Sequence, residues 1–231
     1  MTESHEIRSG VSKTDAILIG CLSHVAVSIL DGFFKEYLYK YSPLLFSAFD
    51  LFKFVVIPAG VLIWLARRFS ITPSGYGLRR AVGNNSWLHF LGLTVLLAVF
   101  LNFAYHVAQH FAWVIIRPAD TSALYKSVIP DGLFHFPVVL YFGVTAGLVE
   151  EIFFRALPLL YVKERFRNRV PLAGYVVTTS VLFAAAHWEN GAHEVVATFV
   201  YGLFASVLYL KLRDLWPLVG AHALIDIWAF S

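Results

Sequence analysis

The sequence predicts an all-α fold, a polytopic membrane bundle of about seven transmembrane helices, and three observations predict it. Of 231 residues, 58% are apolar and only 14% charged, with a mean hydropathy of +0.68, where a soluble domain carries about 25% charged residues. Stretches of roughly 18 or more mostly apolar residues recur, the length that takes a helix across about 30 Å of hydrocarbon. Basic residues gather in alternate connections between those stretches, as in a chain threaded back and forth through a bilayer.

Hydropathy places the spans at 15–30, 43–66, 86–116, 135–161, 171–188, 194–211 and 215–230. The first follows a polar tail, residues 1–14, in which Glu3 and Glu6 accompany Arg8 and Lys13. That is a poor signal-peptide n-region, so an uncleaved helix is expected despite the small-x-small triplet at Ala26–Ser28. The third span is long enough to tilt or kink. Pro158 lies inside the fourth and is expected to kink or end it. No repeat or soluble domain interrupts the chain, which reads as one membrane domain: the tail, N-terminal helices over 15–134 and a helical core over 135–231. Twelve Lys and Arg fall on the side of the tail and of the loops holding Arg67, Arg68, Arg79, Arg80, Arg169 and Arg213, against Lys35, Lys40, Arg117 and Lys126 opposite. This bias predicts a multi-pass protein of the plasma (inner) membrane with a cytoplasmic N-terminus. It also accounts for the pI near 9 without nucleic acid as a partner. The one cysteine, Cys21, excludes an intrachain disulfide and a cysteine-based zinc knuckle.

Ionisable groups inside hydrocarbon are costly, about 2.5–3.5 kcal/mol each on insertion scales, and so mark functional sites. The richest cluster is Glu150-Glu151 followed by Arg155. Glu151 and Arg155 are i and i+4 with the acid first, the favourable order for a pair. Glu150 points about 100° away around the helix and is left free for acid–base work. The fifth span ends in Ala184-Ala185-Ala186-His187-Trp188, small residues that allow close helix approach beside a histidine and an aromatic. In the seventh, His222 and Asp226 share one face, and a carboxylate one turn from an imidazole fixes its tautomer. Counted from the cytoplasmic helix ends at about 1.5 Å per residue, His222 lies ~10 Å deep, Asp226 ~16 Å, Glu150 ~17 Å and His187 ~24 Å, close enough for one intramembrane site with His187 the outlier. Elsewhere, Asp50 and Lys53 are expected to neutralise each other. His106 and His110 read as packing or interfacial groups, and His24 as a core hydrogen bonder. His193-Glu194 does not make H-E-x-x-H, because position 197 is alanine.

E-E-x-x-x-R at Glu150 to Arg155, F-x-x-x-H at Phe183 to His187 and H-x-x-x-D at His222 to Asp226 together resemble the CPBP (Abi) family. That family includes the CAAX-processing type II endopeptidases and bacterial relatives, some linked to C-terminal sorting signals. The resemblance covers about residues 135–231, with spacings of 37 and 35 residues between Glu150, His187 and His222. It implies a glutamate-dependent intramembrane endopeptidase that cuts near the C-terminus of a membrane-anchored protein or peptide. Glu150 with His187 would activate water, His222 and residue 226 would support the oxyanion, and Glu151 with Arg155 would hold the site together. Where relatives often have Asn, this chain has Asp226; an ionised carboxylate donates no hydrogen bond, so Asp226 is expected to orient His222 instead. Trp188 is a candidate wall for substrate. No cofactor is implied. A zinc peptidase using His187, His222 and Glu150 as ligands is an alternative. So are a non-catalytic immunity or scaffold protein and a proton relay, although the paired broken helices of transporters are not seen in the sequence.

Overall fold

Lipid offers backbone amides no hydrogen-bond partners, so apolar segments of this length satisfy them internally as helices. The computed structural model describes residues 10–78, 87–117, 129, 132–167 and 171–231, together with their side chains except those of 35–41 and 43. Arg8, Arg79, Arg80, Lys126 and Arg169, which entered the charge count, lie outside the described residues. The chain runs through α1 (Lys13–Tyr41), α2 (Pro43–Leu51), α3 (Ile57–Phe69), α4 (Trp87–Ile116), α5 (His135–Glu151), α6 (Leu157–Arg165), α7 (Leu172–Ala185), α8 (Ala192–Leu212) and α9 (Trp216–Phe230). No strand occurs among the described residues, and the fold is an all-α bundle. Five helical stretches are long and apolar enough to cross a membrane: Lys13–Phe34, Leu44–Phe69, Trp87–Ile116, Gly132–Arg165 and Ala192–Leu212. The two shorter apolar helices, α7 and α9, complete the seven segments expected. The chain is an integral membrane protein.

Two details depart from the sequence reading. The first helix does not stop near residue 30 but continues to Tyr41, which carries Asp31 into the bundle, buried. Pro158 neither ends nor breaks its helix. A π-turn at Ile152–Ala156 joins α5 to α6, and the widened turn accommodates a residue that has no N–H to donate. The second span is built alike: a π-turn at Phe52–Val56 joins α2 to α3 just before Pro58.

Packing is closest where glycine replaces a side chain. α5 carries Gly143 and Gly147, and a Cβ on Gly147 would come within 2.9 Å of both Ala223 N and Val219 O of α9. Such G-x-x-x-G contact lets two backbones touch. It sets α9 against the glutamates one turn further along α5. α4 and α7 each pack on α8, α4 also packs on α9, and α1 packs on α6.

The ends of the bundle are unlike. At one end Lys13 pairs with Glu164 at 2.6 Å, the N–H of Leu215 donates to Gly77 O at 2.9 Å, and Arg67, Arg68, Arg165, Arg167, Lys211 and Arg213 gather. At the other, the indole N–H of Trp188 donates to Ile29 O at 3.0 Å. There Glu194 also accepts hydrogen bonds from the Tyr105 hydroxyl and, at 3.0 Å, from the Gln109 amide.

Candidate active site

The last turn of α5 ends in Glu150 and Glu151, both buried. Their directions differ by one residue's rotation. Glu151 points to Arg155, with 3.4 Å between Oε1 and NH1 across the π-turn. The same Oε1 accepts the Nδ1–H of His222 at 2.9 Å. Glu151 is therefore shared between the next turn of its own chain segment and a separate helix. The His222 hydrogen bond assigned from sequence to Asp226 belongs to Glu151, because the glycine contact brings α9 close enough for it. Asp226 sits on the other edge of the ring, its Oδ2 3.7 Å from Nε2.

Glu150 turns toward a cavity of about 420 Å³ that His187, His222 and Asp226 also line. Its Oε2 is 3.7 Å from His222 Nε2 and 4.0 Å from His187 Nε2. Neither separation is a hydrogen bond; a water bonded to both groups would sit to the side of the line joining them, towards the cavity. His187 reaches the site from the end of α7, where the helix tightens into a turn at Trp188–Asn190. Its Nδ1 lies 2.8 Å from Phe183 O. A carbonyl can only accept, so Nδ1 carries the proton and Nε2 faces Glu150. His187, the expected outlier in depth, nonetheless comes within 4.0 Å of Glu150.

Arg155 is fully buried, and its guanidinium makes no hydrogen bond among the described residues. Its charge is met by Glu151 and by the face of Phe183, whose centroid is 4.1 Å away. Phe183 stacks on Tyr201, whose ring lies 5.2 Å from that of His222. Sequence reasoning missed Tyr201, an aromatic on an apolar helix with no local pattern to mark it. It also missed Gly143 and Gly147, although G-x-x-x-G was there to be read.

Three subsidiary expectations change. Lys53 pairs with Asp31 of α1 at 2.9 Å, both side chains buried, rather than with Asp50. His24 is in the core, but its ring nitrogens have no hydrogen-bond partner among the described residues, and the ring packs among Phe54, Phe153 and Phe154. Trp188 is not a cavity wall: it lies over Gly32 and Phe33 of α1. His106 approaches Gln109 at 3.3 Å at the cavity edge.

Residues 132–228 match the family model for type II CAAX prenyl endopeptidase Rce1-like proteins. No curated protein and no solved structure matches the chain. The matched region contains all three motifs, so the match falls on the family that those motifs resemble.

Proposed function

From this match we propose that the chain is an intramembrane endopeptidase in which Glu150 is the general base, with residues 135–231 as the catalytic core. One observation carries the reading: a buried carboxylate faces the Nε2 atoms of two imidazoles across gaps of 3.7 and 4.0 Å, at the edge of a cavity. A water held between Glu150 and His187 would lose a proton to Glu150 as its oxygen attacks the peptide carbonyl. His222, gripped at Nδ1 by Glu151, would present Nε2–H to the developing oxyanion when its ring is charged. Glu150 would then return the proton to the departing amine. Asp226 balances the charge on His222 rather than donating to the oxyanion itself. Arg155 positions Glu151.

The substrate class is a membrane-anchored protein cut near its C-terminus, in keeping with the prenyl endopeptidase description of the family. Among the described residues no group of three or more His, Cys, Asp or Glu is arranged to hold a metal ion, and we assign none. The test is cleavage of a membrane-anchored reporter by detergent-purified protein. Glu150→Ala should abolish cleavage and His187→Ala should lower it by about 100-fold or more, the usual loss for a general acid–base group. Cleavage persisting in Glu150→Ala would end the mechanism, and inhibition by a chelator reversed by zinc would favour the zinc peptidase.

A further inference from the structure

The cavity that reaches Glu150 is lined from one direction only. α1 contributes Ser28 and Asp31 from its later half, α4 contributes Tyr105 and Gln109 from its later half, and α5 contributes Phe142 from its first half. α9 contributes Ala229 and Phe230 from its last turn, the turn between α7 and α8 contributes Glu189 and Asn190, and the start of α8 contributes His193 and Glu194. Because successive helices run in opposite directions, all these parts lie at the same end of the bundle. None of the described residues at the opposite end, around 69–78, 163–167, 171–172 or 211–216, lines it. Helix length explains the shape. α7 and α9 have 14 and 15 residues, about 21 and 22 Å, short of the ~30 Å hydrocarbon core. α4 has 30 residues, about 45 Å. Short helices beside long ones leave a recess at the open end, with His187 on its floor.

The closed end is the one where Arg67, Arg68, Arg165, Arg167, Lys211 and Arg213 gather. Of the described residues at the open end, Lys35 and Lys40 near the end of α1 and Arg117 after α4 carry the Lys and Arg charge, fewer than at the closed end. Lys53 lies within the bundle, paired with Asp31. Loops rich in Lys and Arg stay in the cytoplasm.

We infer that the catalytic cavity opens on the non-cytoplasmic face of the membrane, and that its substrate is a membrane-anchored protein whose scissile bond has already been translocated. This rests on the peptidase reading above and narrows it. A prenylated tail in the cytoplasm would meet the closed, basic end. The polar Tyr105–Gln109–Glu194 cluster stands where an extended peptide would enter from outside.

Two measurements separate this inference from the reading it rests on. In a Cys21→Ala background, Ala192→Cys marks the open end and Thr72→Cys the closed end, both at exposed positions. A membrane-impermeant maleimide added to intact cells should label Ala192→Cys, and should label Thr72→Cys only after permeabilisation. The reverse pattern would overturn the inference and leave the peptidase reading untouched. In the second measurement, one reporter carries its cleavable tail on the non-cytoplasmic side and another carries a prenylated tail in the cytoplasm. Wild type, but not Glu150→Gln, should cut the first at least tenfold faster than the second. Preference for the cytoplasmic tail would overturn the inference. Failure to cut either one would instead remove the peptidase reading, and the substrate assignment with it.

Discussion

The π-turns at Phe52–Val56 and Ile152–Ala156 stand in different spans, each ends two residues before a proline, and each sits among buried charges. In the first, Lys53 meets Asp31 at 2.9 Å, and Asp50 lines the same cavity beside them. In the second, Arg155 faces Glu151 at 3.4 Å, but Glu151 also accepts from His222, and Glu150 stands beside them facing the cavity. The backbone device is the same, and each group holds two acids to one base; what differs is the company of the second acid, since two imidazoles face Glu150. A site with one acid more than its arginine requires leaves a carboxylate whose partners are two imidazoles, and that surplus is where chemistry can occur.

The sharpest way to break this comparison is to neutralise Glu151. Glu151→Gln strands Arg155 in the core and frees His222, and breaking a buried pair in this way costs about 3–5 kcal/mol. Reporter cleavage should fall with it, by about 100-fold or more for misplacing a group that stabilises the transition state. Glu150→Gln should be equally inactive yet unfold near the wild-type temperature in detergent, because Glu150 is no arginine's main partner. Equal destabilisation of the two variants would erase the distinction drawn between them.

Asp31→Asn probes the first turn. It leaves Lys53 buried without its carboxylate, so a stability loss of about 3–5 kcal/mol is expected. Asp31→Asn with Lys53→Met should recover most of that loss, because an apolar replacement of a buried pair is often neutral or better. Thermal unfolding reads the cycle. A double variant no more stable than the single would mean the pair does more than neutralise itself.

Glycine draws the contrast at the backbone. A Cβ at Gly147 would press on Ala223 N and Val219 O at 2.9 Å, whereas one at Gly60, beside the first π-turn, would meet nothing within 4 Å. Gly147→Ala is expected to cost about 1–3 kcal/mol by overpacking. It should also slow cleavage by pushing His222 away from Glu150. Gly60→Ala should stabilise by about 0.5–1 kcal/mol, the ordinary gain inside a helix. Opposite signs in unfolding temperature support the assignment of Gly147 to the helix contact.

The span pattern was legible because a bilayer imposes length and polarity on each segment independently, so α4 and α8 could be read without knowing their neighbours. The convergence of Glu150, His187 and His222 was legible only in outline, through motif spacing and depth. What could not be read was partner choice between helices. Lys53 has Asp50 on its own helix, three residues away, yet pairs with Asp31 on α1, because the extension of that helix past residue 30 puts the acid in reach. His222 has Asp226 one turn away, yet bonds Glu151, because Gly143 and Gly147 bring α5 and α9 into backbone contact. Periodicity ranks neighbours along a helix, and it is silent about which other helix arrives.

Trp188 joins the two regions. It follows His187 directly, its N–H donates to Ile29 O at 3.0 Å, and its ring occupies the space that a side chain at Gly32 would need. α1 thus holds the turn that carries His187, even though α1 lies outside the matched residues 132–228. Trp188→Phe keeps most of the ring and removes one hydrogen bond, worth about 1 kcal/mol. A small drop in unfolding temperature is expected, together with a several-fold fall in kcat at nearly constant KM, since in the proposed mechanism His187 would act on the reacting water and not on substrate binding. The complementary Gly32→Ala would displace the indole from the other side and should lower kcat in the same way. If both variants changed KM alone, Trp188 would belong to the substrate path after all, and the link between α1 and His187 would be packing without consequence for the reaction.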